Sequence, residues 1–385
     1  KPLASFGLPS VCLPSGQASF SSTSTIVDGT QNLFTYAWDF GDGGTATTIN
    51  PTHIYTGTGP YNVTLTVTSN NGCIDDSIRV MNTIYAEPQA VFSTVNEVCL
   101  GGSVSFIDNS TAPNSTVQQW NWNFGDGNTS TQQSPSHTYA AAGTYTVTLN
   151  VTSANGCQTV TKFATKNIVV NPLPTVNFGT SLPGCERRDV KFTDGSQANA
   201  GALLNWNWNF GDGPSVVLNA ATPFNHTYTT AGNYDVTLYV ETDKGCVSPV
   251  KHATVVVNAT PKAGFTTPVV CSSDLFAPFS DTSRVAAGNI TGWEWNFGDA
   301  TANAGNPNTS NIQNPTHHFA VAGPYTITLI ATTNNGCKDT LSQNMIVNGS
   351  PTAGFTVQNQ ATLCSNKDVA LADGSSVDYG SLIRM

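Results

Sequence analysis

Four aspartates stand at matching places in the chain, Asp42, Asp126, Asp212 and Asp299, and a histidine follows each of them: His53, His137, His226 and His317. Carboxylates in a glycine-rich turn could coordinate calcium, a hard cation that takes six to eight oxygens. The histidines could act as bases if a nucleophile or a carboxylate were held beside them. Nine cysteines, at 12, 73, 99, 157, 185, 246, 271, 337 and 364, could bind metal or form disulfides, and the seven tryptophans could stack on sugar rings.

Each chemistry has a competing structural explanation. The turn phrase reads WDFGDG at Trp38–Gly43, WNFGDG at Trp122–Gly127 and Trp208–Gly213, and WNFGDA at Trp295–Ala300. Asn replaces Asp39 in three of the four copies, which leaves one carboxylate in each of those three turns. That dilution favours a tight turn, in which glycines accept positive φ and the Asp side chain bonds the backbone, over a calcium site. The histidines recur in one phrase with no nucleophile beside them, so they are expected to be hydrogen-bonded structural residues. Nothing in the sequence places a carboxylate against each of them. The cysteines lack C-x-x-C spacing and do not cluster with histidine, so zinc is disfavoured.

The phrases sit in a repeat. The motif tryptophans Trp38, Trp122, Trp208 and Trp295 are about 86 residues apart, and the same words surround each. A Phe-x-Asp-x-Ser phrase precedes three of them, at Phe106, Phe192 and Phe279. "PTHIY", "SPSHTY", "FNHTY" and "PTHHF" follow, then strands such as "GTYTVTLNV", and each unit closes on a Gly-Cys turn. Tyr145, Val147, Leu149 and Val151 alternate with polar residues, the period of a strand with one buried face. Trp120/Trp122, Trp206/Trp208 and Trp293/Trp295 are two apart, and Tyr36 takes the first place beside Trp38. Each set shares a face with Phe40, Phe124, Phe210 or Phe297, and that face is expected to be core rather than a sugar platform.

A unit of about 86 residues made of strands and turns has the size of an immunoglobulin-like sandwich, with a corner tyrosine at Tyr61, Tyr145, Tyr234 or Tyr325. The combined motifs resemble those of the PKD (polycystic kidney disease) domain family. The resemblance implies an all-β chain of tandem seven-stranded sandwiches. The expected domains are 1–86, 87–172, 173–260 and 261–349, with an incomplete fifth at 350–385. Joints such as "VNPLPTVNF" are too short for long flexible tethers, so the units are expected to form an elongated rod.

Cysteines recur two to a unit, a pattern that points to disulfides and an oxidising compartment. Pairing within units is one option. In a sandwich, however, the turn after the first strand and the hairpin between the last two lie at opposite ends, roughly 20–25 Å apart. A disulfide needs Cα atoms within about 7 Å. The alternative therefore staples neighbours: Cys12 to Cys157, Cys99 to Cys246 and Cys185 to Cys337. Cys73, Cys271 and Cys364 would await further units. A short first strand would bring the local partners closer and keep the first option open.

Only 10% of the 385 residues are charged and the net charge is −10, with no basic patch in view, which argues against a nucleic-acid partner. No apolar stretch reaches membrane-span length. The chain opens on Lys1, as expected of a mature or excised segment. The main functional expectation is a non-catalytic stalk, filament or adhesin shaft of an extracellular or cell-surface bacterial protein. Its partners would be neighbouring repeats, other copies or surface ligands. The alternative is a spacer array in a secreted hydrolase.

Overall fold

The structure, a computed structural model, describes residues 1–181, 184–358 and 368–381. These residues form strands and turns, with one short 3-10 turn at Gln31–Leu33 and no α-helix among them. By contact density the chain falls into two compact units. One comprises Lys1–Leu173, Asn199–Gly201 and Thr242–Cys246, and the other Pro174–Ala198, Ala202–Glu241 and Val247–Met385.

The first compact unit holds two repeats. The second of them shows the plan most fully. Glu97–Cys99, Ala164–Asn171, Gly143–Ser153, Val117–Asn123 and Thr129–Ser130 line up as a five-stranded sheet. Ser103–Ser105 pairs with Ser136–Thr138, and Ile107–Asp108 with Phe92–Ser93, to make the opposing layer. Alternation in Gly143–Ser153 points Val147, Leu149 and Val151 inward to meet Trp122, Phe124, Phe106 and Phe92 in one buried cluster. The Phe92 ring meets the Trp122 ring edge-on at 5.1 Å, the geometry that aromatic quadrupoles prefer. The first repeat has the same core around Trp38, and the second compact unit repeats it around Trp208 and again around Trp295.

The motif tryptophans Trp38, Trp122, Trp208 and Trp295 are all fully buried, as the period-2 pattern implied. Their paired residues differ. Trp206 is buried, but Trp120 and Trp293 are only partly covered, at the margin of their clusters. Both marginal rings hold a partly buried hydrogen bond: Trp120 Nε1 donates to Asp108 and Trp293 Nε1 to Asp281, each at 2.8 Å. In the second and fourth repeats the Asp of the Phe-x-Asp-x-Ser phrase thus joins its own turn to the Trp strand; in the third, Asp194 accepts from Ser196 instead and the Trp206 Nε1 has no partner among the described residues. Where the first repeat has Tyr36 instead of Trp, it has Ser22 instead of Asp.

The corner tyrosines also divide. Tyr145, Tyr234 and Tyr325 donate to the carbonyls of Ala141, Thr230 and Val321, four residues upstream. Tyr61 follows a cis Gly59–Pro60 bond and packs on Tyr55 at 4.7 Å without that bond. In the fifth copy Phe355–Val357 pairs with Leu371–Asp373, while Cys364 lies outside the described residues.

One strand is absent from the sequence reading. The residues around the first cysteine of each repeat pair in parallel with the last strand of the same repeat: Val11–Cys12 with Ile84–Tyr85, Glu97–Cys99 along Val169–Asn171, Gly184–Cys185 along Val257–Asn258, and Val270–Cys271 along Val347–Asn348. Cys99 therefore lies beside Asn171, at the exit end of a strand whose other end, Ala164, adjoins the hairpin that carries Cys157. The rise from Ala164 to Asn171 is about 23 Å.

Candidate functional site

The recurring polar constellation is built on the turn phrase. Asp39, Asn123, Asn209 and Asn296 each place Oδ1 within 2.8–2.9 Å of the amide two residues on, at Gly41, Gly125, Gly211 and Gly298. Both Asn and Asp offer that oxygen, which explains their exchange at this position. The glycine is required at Gly125, where φ is +85° and a Cβ would sit 2.6 Å from the Thr146 carbonyl oxygen.

The second acidic residue of the phrase faces the histidine. Nε2 of His53, His137, His226 and His317 lies 2.7, 2.8, 2.9 and 3.0 Å from a carboxylate oxygen of Asp42, Asp126, Asp212 and Asp299. Nothing in the sequence signals a carboxylate partner for these histidines, yet all four repeats hold one. The turn Asp and the His are 11 residues apart in the first two repeats, 14 in the third and 18 in the fourth, on different layers, and meet when the two layers of the sandwich close. Each imidazole also stacks on the motif Phe, with centroids 4.3 Å apart at Phe40, 4.2 Å at Phe124, 4.1 Å at Phe210 and 4.4 Å at Phe297. On its other side Tyr55, Tyr139, Tyr228 or Phe319 stands edge-on. The three tyrosines donate to the carbonyls of Phe40, Phe124 and Phe210 at 3.1–3.2 Å.

Electrostatics match the geometry. Burial alone would raise the carboxyl of Asp126, but Asn128 and His137 donate to it and hold it below the usual carboxylate range. Asp42 is held low against the same burial by His53 and the Gly44 amide, and Asp299 by the hydroxyl and amide of Thr301 and by His317. Burial pushes the phenol of Tyr139 up to about 12.

An Asp–His pair is half of a hydrolytic triad, yet here the imidazole packs against two rings and, among the described residues, no Ser hydroxyl or Cys thiol is hydrogen-bonded to it. His317 and Asp299 are each 1% exposed in their side chains, so no substrate reaches that pair. The turns do not fit calcium either. Asp42, Asp126, Asp212 and Asp299 have oxygens that already accept hydrogen bonds, the extra carboxylate of the first turn, Asp39, accepts the Gly41 amide, and among the described residues no group of three or more His, Cys, Asp or Glu converges as a metal site. The constellation locks the turn onto the opposite layer.

The cysteines link repeats. Cys12 bonds Cys157, Cys99 bonds Cys246 and Cys185 bonds Cys337, with Cα atoms 5.4, 5.4 and 5.8 Å apart. Each joins the parallel strand of one repeat to the Gly-Cys hairpin of the next. Cys73, in the corresponding hairpin of the first repeat, and Cys271, on the corresponding strand of the fourth, are free.

Sequence reasoning did not find Glu87. It lies in the joint after the first repeat, is 4% exposed, and accepts the amides of Val160, Thr161 and Lys162 on one oxygen and the Thr161 hydroxyl on the other. Burial opposes its charge, but those donors overcome it and lower its pKa to about 2. A buried carboxylate beside a proline joint has no local signal, because its partners arrive from a hairpin more than seventy residues away.

A family model described as "PKD domain" matches residues 1–84, 85–168, 171–257 and 258–347. The pre-pro-metalloprotease PrtV of Vibrio cholerae is 42% identical over 96 residues, covering 24% of this chain and 10% of that protein. Collagenase ColA of Bacillus cereus is 47% identical over 93 residues, covering 23% of this chain and 10% of that protein. The chain thus spans about a tenth of the length of the curated relatives it matches. Among solved structures, the PKD1 domain of the Vibrio cholerae metalloprotease PrtV is 32% identical, covering 23% of this chain and 96% of that one, with a TM-score of 0.20.

Proposed function

Because the chain belongs to the PKD-domain family, with four successive copies, we propose that it is a disulfide-stapled accessory array that spaces other domains of a larger extracellular protein. The observation that carries this reading is the staggered pairing of Cys12–Cys157, Cys99–Cys246 and Cys185–Cys337, which ties each repeat to its neighbour instead of closing it on itself. The segment itself is non-catalytic. Its location is extracellular or on the cell surface, in keeping with disulfides that persist in oxidising compartments.

The spacer reading draws support from the relatives. Their names are those of a metalloprotease and a collagenase, and this chain resembles only about a tenth of each. A covalently linked row of sandwiches would hold a catalytic domain and a substrate-binding domain in a fixed succession. No helix among the described residues is long and apolar enough to cross a membrane.

A second reading, the shaft of a surface adhesin or filament, is favoured by Cys73 and Cys271. Each occupies a position that is disulfide-bonded in the other repeats, so each is equipped for the same link to a further copy.

The test is to capture the native polypeptide with an antibody against residues 1–349 and sequence it by mass spectrometry. Peptides of a protease or polysaccharide-degrading domain in the same chain support the spacer. Peptides of many further repeats without such a domain replace it with the shaft.

A further inference from the structure

The chain has no run of basic residues, and Lys and Arg together number 14 in 385. The fold nevertheless brings four of them, Arg187, Arg188, Lys262 and Arg284, to one cleft of about 660 Å³ within the compact unit that contains the third and fourth repeats. The expectation that the chain has no basic patch fails here, because the four residues come from three separate segments that only folding unites.

Three observations mark this cleft, and other repeats supply the comparison for each. First, none of the four cations is in an ion pair among the described residues, a state they share with Arg79, Lys162, Lys166, Lys191 and Lys251, while Lys1, Lys244 and Lys338 are paired with Asp75, Glu97 and Glu294. The two carboxylates in the lining are engaged by backbone: Glu186 accepts the amides of Ala231 and Thr260, and Asp339 that of Ala263.

Second, Lys262 and Arg284 face each other across an antiparallel bridge and exchange both amide hydrogen bonds, at 2.7 and 3.1 Å. The same bridge in the other repeats joins Leu3 to Thr25, Gln89 to Thr111, Thr175 to Gln197 and Thr352 to Ser376, all neutral. Like charges directly opposite each other destabilise a strand pair, so the fourth repeat alone carries this cost.

Third, Arg187 adopts φ +58° with its amide fixed on the Tyr228 carbonyl at 2.7 Å. Two residues after the first cysteine of its repeat, Arg187 stands where the second repeat has Gly101 at φ +84°. Apart from glycines and two asparagines, Arg187 is the only described residue with positive φ. A bulky side chain in the left-handed region is costly, and such outliers concentrate where a function requires them.

We propose that this cleft binds an acidic oligosaccharide whose sulfate or carboxylate groups are held by the arginine forks. Planar guanidinium matches such oxyanions with two parallel hydrogen bonds. The volume is that of a small-ligand site, and Pro261, Val285 and Ala286 present an apolar wall to the C–H face of a sugar ring. No aromatic ring lines the cleft, so there is no platform for nucleobases. A net charge of −10 repels a long phosphate polymer.

The experiment is calorimetric titration of the oxidised 385-residue chain with a fully sulfated heparin tetrasaccharide and, separately, with trigalacturonate. A DNA duplex and hexaglutamate serve as comparison probes. The expected result is one-to-one binding of at least one of the two sugars, weakening as salt rises; binding of trigalacturonate shows that carboxylate suffices, whereas binding of the heparin fragment alone, which carries sulfate beside carboxylate, shows that sulfate is required. The double variant K262Q/R284T installs the neutral pair of the second repeat, and Arg187→Gly installs its glycine. Each is expected to weaken binding roughly tenfold. Their melting temperatures should hold or rise, since a charge clash or a strained dihedral is removed. The proposal is overturned if neither sugar binds, if both variants bind as tightly as the parent, or if DNA or hexaglutamate binds as tightly as the sugars.

Discussion

Nε2 of His137 lies 2.8 Å from Oδ2 of Asp126 while the same imidazole stacks on Phe124 at 4.2 Å, so one side chain closes the polar turn and caps the aromatic core beneath it. The arrangement recurs in every complete repeat. It makes the turn, rather than only the core, part of what holds the two layers together.

Acid should loosen these locks. The carboxyls of Asp42, Asp126 and Asp299 lie below their ordinary value in the folded chain. A depressed folded pKa stabilises above the unfolded value and is lost as pH falls through the folded one. Stability is therefore expected to be retained down to about pH 4 and to decline below it, with Asp126→Asn showing a shallower decline. Urea denaturation from pH 7 to 2 checks this; equal slopes for the two proteins would remove Asp126 from the account.

Glu87→Gln should destabilise the chain by about 2 kcal/mol at pH 7, since it replaces a charged acceptor of several hydrogen bonds with an amide that can turn its own N–H groups toward them. The parent carboxyl has a pKa of about 2, so its contribution is complete above the unfolded value near 4.3 and fades toward pH 2. Parent and variant midpoints should therefore differ at pH 7 and converge at the acid end.

Asp108 and Trp120 should be coupled. Asp108→Ser alone orphans Nε1 of Trp120 and is expected to cost about 1–3 kcal/mol. The double change D108S/W120Y reproduces the Ser22 and Tyr36 of the first repeat and should cost less than the two single changes combined. A double-mutant cycle with coupling below about 0.5 kcal/mol would show that the bond is incidental.

The staggered disulfides shorten the covalent path through the chain. Under tension, force passes from Cys12 to Cys157 and from Cys185 to Cys337, leaving only residues 1–12, 157–185 and 337–385 to extend. Single-molecule pulling should give a limiting length of roughly 300 Å oxidised and roughly 1,300 Å reduced. Pairing within repeats would give a different pattern, with each repeat contributing its own shortened step.

The sequence by itself determined the repeat, the strand faces and the buried tryptophans, because a period of two and a six-residue phrase are local properties that survive without knowledge of distant contacts. Trp38, Trp122, Trp208 and Trp295 were legible as core for that reason. The glycines of the turn were legible because their conformation is set by the turn itself. Tertiary structure alone decided which charged groups meet. Asp126 and His137 sit on different layers, Glu87 takes its donors from a hairpin far along the chain, and the cleft of Arg187, Arg188, Lys262 and Arg284 assembles from three segments. The parallel pairing beside Cys99 was likewise decided by the fold, since two or three residues are too few to carry a strand signal until the last strand of the repeat lies next to them. Local patterns specify which face is buried; the encounter of polar side chains depends on how the layers close.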